Sequence, residues 1–307
     1  MPETQYNPHH RPEPHLSEFN RPVVEEFRAN AGRVGGPFAG GDLLLLTTVG
    51  AKSGREHTTP LAYVRIEGRL LVVASAGGSP RNPDWYHNIL AHPMARVELG
   101  DEAFGAVAVP VEGAERDRLF DLVVRAVPGF GDYQATVQRR LPVVALERQF
   151  ADTPPWKLSS LGDKLVEVHT WLREQLRHVR AEVDAHFAAR DAADPAPAGL
   201  GLQIRQHCLA FCESLEFHHT SEDNAVLPDL ERRYPELSGV IGRLRAEHRT
   251  VARIRGELET HLANLPGADP ASFRAELDRM ATELEVHLDY EEQQLIPVFA
   301  RIPLPGS

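Results

Sequence analysis

His218-His-Thr-Ser-Glu222-Asp-Asn-Ala-Val-Leu-Pro228 and His287-Leu-Asp-Tyr-Glu291-Glu-Gln-Gln-Leu-Ile-Pro297 carry one pattern in register: His, Glu four positions on, a second acid next, two apolar residues, and Pro ten after the His. Each copy continues an apolar stripe of helical period, Ile204, Cys208, Phe211, Leu215 before the first and Phe273, Leu277, Met280, Leu284 before the second. Two more stripes of the same period hold one histidine each. Leu161, Leu165, Val168, Leu172, Leu176, Val179 and Val183 surround His169, and Val240, Leu244, Val251, Leu258 and Leu262 surround His248. An Ala/Pro/Gly-rich loop from Asp191 to Gly201 and the pair Pro266-Gly267 separate the stripes, and Pro228 and Pro297 are expected to end the second and fourth helices. Four amphipathic helices with short connections predict an antiparallel bundle from Leu161 to Pro303.

A buried imidazole or carboxylate without a partner costs several kcal/mol. Residues four apart on a helix lie one above the other, so a His and a Glu at that spacing reach toward neighbouring metal ions. Neutral imidazole nitrogen with carboxylate oxygen suits iron, manganese or zinc, and bridging carboxylates suit two ions close together. With 44 acids in 307 positions, 15 histidines would give about two His-x-x-x-acid pairs by chance, and five are present, so a single pair means little. The in-register repeat is what chance does not supply. His169, His218, Glu222, His248, His287 and Glu291 are therefore the expected ligands. His219 neighbours this face as a substitute for His218, His207 reads as a core, capping or supporting histidine, and His178, His186 and His261 read as solvated. Ferritin-type sites need a Glu-x-x-His pair on each of two helices; only Glu216 to His219 fits, which argues against them.

These residues resemble the hemerythrin-like, His-His-Glu cation-binding family, whose motif matches the paired elements on the second and fourth helices and the single histidines on the first and third. The resemblance implies a non-haem di-iron centre bridged by carboxylates. One departure is visible: oxygen-carrying members have two histidines four apart on the third helix, and the positions four from His248 are Leu244 and Ala252. A six-ligand site with open coordination is expected, suited to sensing or redox chemistry with oxygen, nitric oxide or peroxide.

From about Gly41 to Leu146 the period is that of strands. Asp42 to Val49 is a buried strand, Thr59 to Ile66 and Arg69 to Ser75 form a hairpin about Glu67-Gly68, Ala95 to Leu99 and Phe104 to Val111 follow, and Pro142 to Glu147 comes last. Helical stretches interrupt near Trp85 to Ala91 and Ala114 to Ala126. The order does not alternate as a doubly wound sheet would, so a small barrel with helices packed outside is expected. Ala151 to Leu161, with Thr153-Pro154-Pro155-Trp156, reads as a linker. Two loops stand out. Thr47-Thr-Val-Gly-Ala-Lys-Ser-Gly-Arg55 is a basic, Gly-rich turn able to hold phosphate or carboxylate, or a plain hairpin. Ser75-Ala-Gly-Gly-Ser-Pro-Arg-Asn-Pro-Asp-Trp85-Tyr-His-Asn88 leads from a strand into a helix, with Trp85 also readable as core.

Together the two loops, with Pro60-Leu-x-Tyr63 between them and His92-Pro93 after, resemble the deazaflavin-dependent nitroreductase family over about Phe19 to Glu147. The resemblance implies a split β-barrel of the FMN-binding-like α+β class that uses the 5-deazaflavin coenzyme F-420. It places Lys52, Ser53, Gly54 and Arg55 on the cofactor's phosphate and acidic tail, and Pro60, Ser75, Ala76, Gly77, Gly78, Trp85 and Asn88 around the ring. Pro128-Gly-Phe-Gly-Asp-Tyr133-Gln matches the substrate-side helix; Phe130 stands where a tyrosine is common, and Tyr133 is left as a hydrogen-bond donor to substrate.

The chain thus reads as two domains, a split β-barrel over 19–150 and an all-α four-helix bundle over 161–303, joined by a linker at 151–160. The expected function is hydride transfer from deazaflavin to a quinone or nitro-aromatic small-molecule acceptor, fused to a di-iron domain that meets oxygen, nitric oxide or peroxide; the alternative is a non-catalytic metal- or gas-sensing protein whose barrel binds FMN or haem. A net charge of −11 argues against nucleic acid or an anionic membrane as partner. Leu43 to Val49 is too short to span a bilayer, and polar Met1 to His15 is no signal peptide. Two cysteines, Cys208 and Cys212, exclude a disulfide framework and fit the cytoplasm, where small buried thiols are the ordinary reading. A homodimer is compatible with all of this.

Overall fold

A computed structural model of the chain describes residues 19–149, 160–191, 200–263 and 268–300. Most of the expected linker and the polar start lie outside them. Six antiparallel strands, β1 (Leu43–Val49), β2 (Glu56–Ile66), β3 (Arg69–Val73), β4 (Met94–Leu99), β5 (Glu102–Val111) and β6 (Val143–Arg148), close into a barrel in the order β1-β2-β3-β6-β5-β4. The β2–β3 turn is Glu67-Gly68, both at positive φ (52° and 78°), the twist a two-residue hairpin requires.

Strands β1, β3, β6 and the second half of β5 are apolar on both faces because both are covered. Inward-facing Leu44, Leu46, Leu70, Val72, Ala95, Val97, Ala106, Ala108, Val144 and Leu146 make one core, with Leu61 and Tyr63 from β2 at its edge. The helix α2 (Asp84–Ala91) adds Trp85 and Ile89 to that core. On the outside three groups of helices share the work. α1 (Arg21–Ala29) covers Leu43 and Leu45 with Val24 and Phe27. α3 (Gly113–Ala126) and α4 (Gly129–Thr136) cover Leu71, Val73, Val143 and Ala145 with Leu119, Phe120, Val123 and Phe130. Neither α1 nor its sequence, polar but for Val23, Val24 and Phe27, stood out among the strand signals.

The third outer face, Val107 and Val109 of β5, belongs to the core of the helical half. That half consists of α5 (Leu161–Asp191), α6 (Leu200–Ser221), α7 (Leu227–Arg233), α8 (Ser238–Ala263) and α9 (Pro270–Phe299). Leu172, Val179, Val183, Ile204, Phe211, Leu215, Val251, Leu258, Leu277 and Leu284 fill its centre. Polar contacts ring the junction with the barrel: His92 Nδ1 to Glu213 (2.9 Å), Arg205 donating to the Leu90 carbonyl (2.7 Å), and His207 Nε2 to Glu147 (3.0 Å). Cys208 and Cys212 are buried thiols that form no disulfide, and burial pushes Cys208 up.

The two prolines of the repeat do not end their helices. After Ser221 the chain makes a wider, π-helical turn over Glu222–Val226 and continues as α7, where Pro228 sits in the first turn and needs no N–H partner. Pro297 lies inside the last turn of α9, which runs on to Phe299. No helix among the described residues is long and apolar enough to cross a membrane.

Replacing Val107 and Val109 together by Ala removes about two methyl groups from each side chain at this junction, at roughly 0.8 kcal/mol per buried carbon. We expect the unfolding free energy from urea titration to fall by about 3 kcal/mol; an unchanged value would mean that barrel and bundle do not share this core.

Candidate functional site

Four helices aim polar side chains at one point in the bundle. His169, His219, Glu222, His248, His287 and Glu291 are all buried, and His218 nearly so. The imidazoles form two groups. His169 Nε2 lies 3.0 Å from His218 Nε2, and His287 Nε2 lies 3.2 Å from His219 Nε2. His248 stacks on His219 with ring centroids 4.2 Å apart. Between the groups stand the carboxylates: Glu222 is 3.5 Å from His218 and 3.6 Å from His248, and Glu291 is 3.6 Å from His169 and 3.7 Å from His287. Metal–nitrogen bonds of ~2.1 Å put adjacent ligands of an octahedron ~3 Å apart, which is the spacing of the paired Nε2 atoms.

The outer nitrogens fix which way the rings point. His169 Nδ1 meets Glu292 (2.9 Å), His248 Nδ1 meets Asp223 (2.9 Å) and His287 Nδ1 meets Glu247 (3.0 Å). A carboxylate at Nδ1 holds the proton there and leaves the Nε2 lone pair facing inward. Asp223 and Glu292 are the second acids of the two sequence repeats. Each supports a histidine of a different helix from its own, and Arg173 in turn pairs with Glu292 at 2.6 Å.

The electrostatics are those of a site built for positive charge. Burial pushes His218 down to about 3 against the pull of Glu291, and pushes His219 well below the ordinary histidine range. Burial and the charge of Glu291 push Glu222 well up; burial would raise Glu291 too, but its contact with Glu222 and the surrounding imidazoles hold it down. Two carboxylates this close do not both ionise without a cation between them. Glu222 Oε2, both oxygens of Glu291 and His248 Nε2 are buried without hydrogen-bond partners. Orphaned acceptors cost free energy, and a cation at their centre would satisfy all four. The donor set fits a pair of metal ions.

In the barrel, the turn between β1 and β2 is held from behind. The Gly54 N–H donates to the Gly50 carbonyl and the Gly50 N–H to the Arg55 carbonyl, both at 2.8 Å. Asn88 of α2 accepts from the Ala51 N–H (3.0 Å) and donates to Thr48 Oγ1 (3.1 Å), so both ends of its amide are spent on the turn. Ser53 Oγ lies 3.2 Å from His57 Nε2. Lys52, Ser53, Gly54 and Arg55 are exposed, and neither Lys52 nor Arg55 has a carboxylate partner among the described ion pairs. Pro60 lies on β2 opposite Leu45, half-buried. The loop Ser75–Gly78 turns through left-handed backbone at Ala76, Gly77 and Gly78. A side chain at Gly78 would meet Thr136 Oγ1 at 2.6 Å, so α4 sits directly on this loop. Tyr133 is 41% exposed beside it, edge-on to buried Phe130. Trp85 is in the barrel core, where it packs against Tyr86 at a right angle.

The model of the F420H(2)-dependent quinone reductase family matches residues 19–148, and that of the hemerythrin HHE cation binding domain matches residues 160–299. A F420H(2)-dependent quinone reductase of Mycobacterium tuberculosis is 39% identical over 127 residues, 40% of this chain and 85% of that protein. The chain belongs to the F420H(2)-dependent quinone reductase family. A second M. tuberculosis protein named as a putative member is 35% identical over 34% of this chain and 87% of its own length. A solved F420-H2 dependent reductase is 39% identical, covering 34% of this chain and 94% of its own, with a TM-score of 0.32. To the reductase barrel this chain adds a hemerythrin HHE domain.

Reading for single histidines on the third helix missed how the bundle is completed. His219 lies inside the cluster beside His218 rather than in its place, so seven side chains converge instead of six. The adjacent pair His218-His219 was the available signal. Arg139, unremarked in the sequence, staples the glycine loop of the reductase barrel: it donates to the carbonyls of Ala74 (3.1 Å), Ser75 (2.9 Å) and Ser79 (3.0 Å) and to Asn82 Oδ1 (2.6 Å). Arg139→Ala would take the guanidinium from four acceptors, of which only the Ser75 carbonyl keeps another donor, the Gly78 N–H, and is expected to lower stability by about 1–3 kcal/mol, with faster amide exchange over residues 74–82. Unchanged exchange there would show the loop needs no staple.

Proposed function

We propose that the barrel of this chain binds reduced coenzyme F-420 and passes its hydride to a quinone-type small molecule, and that the bundle holds a non-haem di-iron pair reactive toward oxygen, nitric oxide or peroxide. We propose further that the chain divides as 19–150 and 161–303. The observation that carries the first part is a basic turn braced from behind, with both cations turned to solvent. Lys52 and Arg55 would take the anionic groups of the cofactor, with Ser53 and the turn amides donating hydrogen bonds. Ser75 to Gly78 offer backbone that can approach a flat ring closely, and Pro60 lies at its side. In this reading Asn88 and Trp85 act through the scaffold, Asn88 by locking the turn and Trp85 by filling the barrel end. Tyr133 stands at the rim as the donor to the acceptor substrate. When bound, the deazaflavin supplies the hydride; the chain orients it and keeps water away.

For the bundle, the orphaned carboxylate oxygens among inward Nε2 atoms support a metal pair. His169 and His218 would hold one ion, His219, His248 and His287 the other, and Glu222 and Glu291 would bridge. The mixed imidazole–carboxylate donor set admits iron, manganese or zinc, and the resemblance to the hemerythrin-like family is what favours iron.

Two outcomes are expected. His218→Ala together with His287→Ala takes one ligand from each ion, and elemental analysis should find less than one metal per chain while the F-420 titration is unchanged; full metal content would overturn the ligand set. Lys52→Ala with Arg55→Ala should weaken F-420 binding by about thirtyfold to 150-fold, since each lost charge-assisted contact is worth about 1–1.5 kcal/mol. An unaltered titration would move the cofactor elsewhere.

A further inference from the structure

A second group of metal-ligating side chains lies outside the centre just described, where the bundle meets the barrel. His178 and Glu182 sit four apart on α5, the same His-x-x-x-Glu spacing that the two repeats use. His207 of α6 faces them. Its Nδ1 is 2.9 Å from both oxygens of Glu182, its Nε2 is 3.0 Å from Glu147 on β6, and its ring lies 4.5 Å from that of His178. The three nearest donors, one each from His178, Glu182 and His207, lie within 4.8 Å of one another.

We propose that His178, Glu182 and His207 form a separate site for a single divalent cation of the zinc class, with Glu147 supporting His207 from the barrel side. Two imidazole nitrogens and one carboxylate oxygen are a zinc donor set with one coordination position open to water. His207 is buried, whereas half of the His178 side chain is exposed, so the open position faces solvent and the ion can exchange. Glu147 on the remote nitrogen of His207 is the carboxylate partner that zinc-bound histidines commonly have. Because Glu147 belongs to β6, the bound ion would tie barrel to bundle.

The competing occupant is a proton. Burial disfavours charge on His207, but Glu147 and Glu182 outweigh it and raise the imidazole to about 9. Without metal, His207 is an imidazolium bridging two carboxylates. That arrangement leaves His178 unused: its Nε2 is 3.7 Å from Glu182, beyond hydrogen-bond reach. The other groups facing the site are Arg69 of β3, which acts on Glu147, and Cys208, whose thiol feels Glu182.

The test uses the full chain with its bundle centre loaded, incubated with Zn²⁺ and freed of excess. Elemental analysis should find one zinc per chain beyond the content of the bundle centre. His178→Ala, a change at a half-exposed position, should lose that zinc and keep the centre's metal. Co²⁺ in place of zinc should give the visible bands of a four-coordinate nitrogen and oxygen site in the unmutated protein. No additional zinc in the unmutated protein, or an additional zinc that His178→Ala retains, would overturn the site.

Discussion

Everything in the helical half depends on placing two carboxylates and five imidazoles where water does not reach. Burial alone makes this arrangement hostile to itself: it strips the histidines of their protons and forces the two glutamates apart in their ionisation. A chain gains nothing by evolving such a core for stability, since apolar side chains of the same volume would serve better. The cluster's orphaned oxygens and inward nitrogen are acceptors that a bound cation would satisfy.

The cluster is rigid because its support is distributed. Asp223 and Glu292 follow the inward glutamates by one residue, which turns them about a quarter of the way around the helix, away from the centre and toward the neighbouring rod. There each meets the outer nitrogen of a histidine on another helix. One dipeptide therefore supplies both an inward carboxylate and an orienting group. The wider turn at Glu222–Val226 falls on the first of these dipeptides, at the ligand itself, which is where such turns commonly occur.

Much of this was legible in advance. The strands, their hairpin at Glu67-Gly68, the four helical stripes and the convergence of His169, His218, His248 and His287 all follow from period and composition, because burial enforces period. What escaped had weak local signals. His219 lies next to a stronger candidate, and one residue per helix position was assumed to face inward; two adjacent residues are 100° apart, and only the positions of the other helices show that both can reach the cluster. The prolines misled because the penalty for proline falls on helix interiors, and Pro228 occupies a first turn. Arg139 was invisible because it acts on carbonyl groups, which every residue has. Asn88 was read as ring-lining where its amide is committed to the turn.

The junction between the two halves ties these observations to function. A barrel strand normally buries one face inside and leaves the other to whatever covers it; here Val107 and Val109 of β5 are covered by the same apolar cluster that surrounds the metal-ligand core. α6 is the shared element. It carries Cys208 and Leu215 toward the bundle, His207 and Glu213 toward the barrel, and His218 and His219 toward the centre. Any shift of α6 along its axis would change barrel contacts and metal-ligand positions together, since a helix transmits displacement along its length. The reductase fold and the bundle therefore meet at this helix, which packs against both.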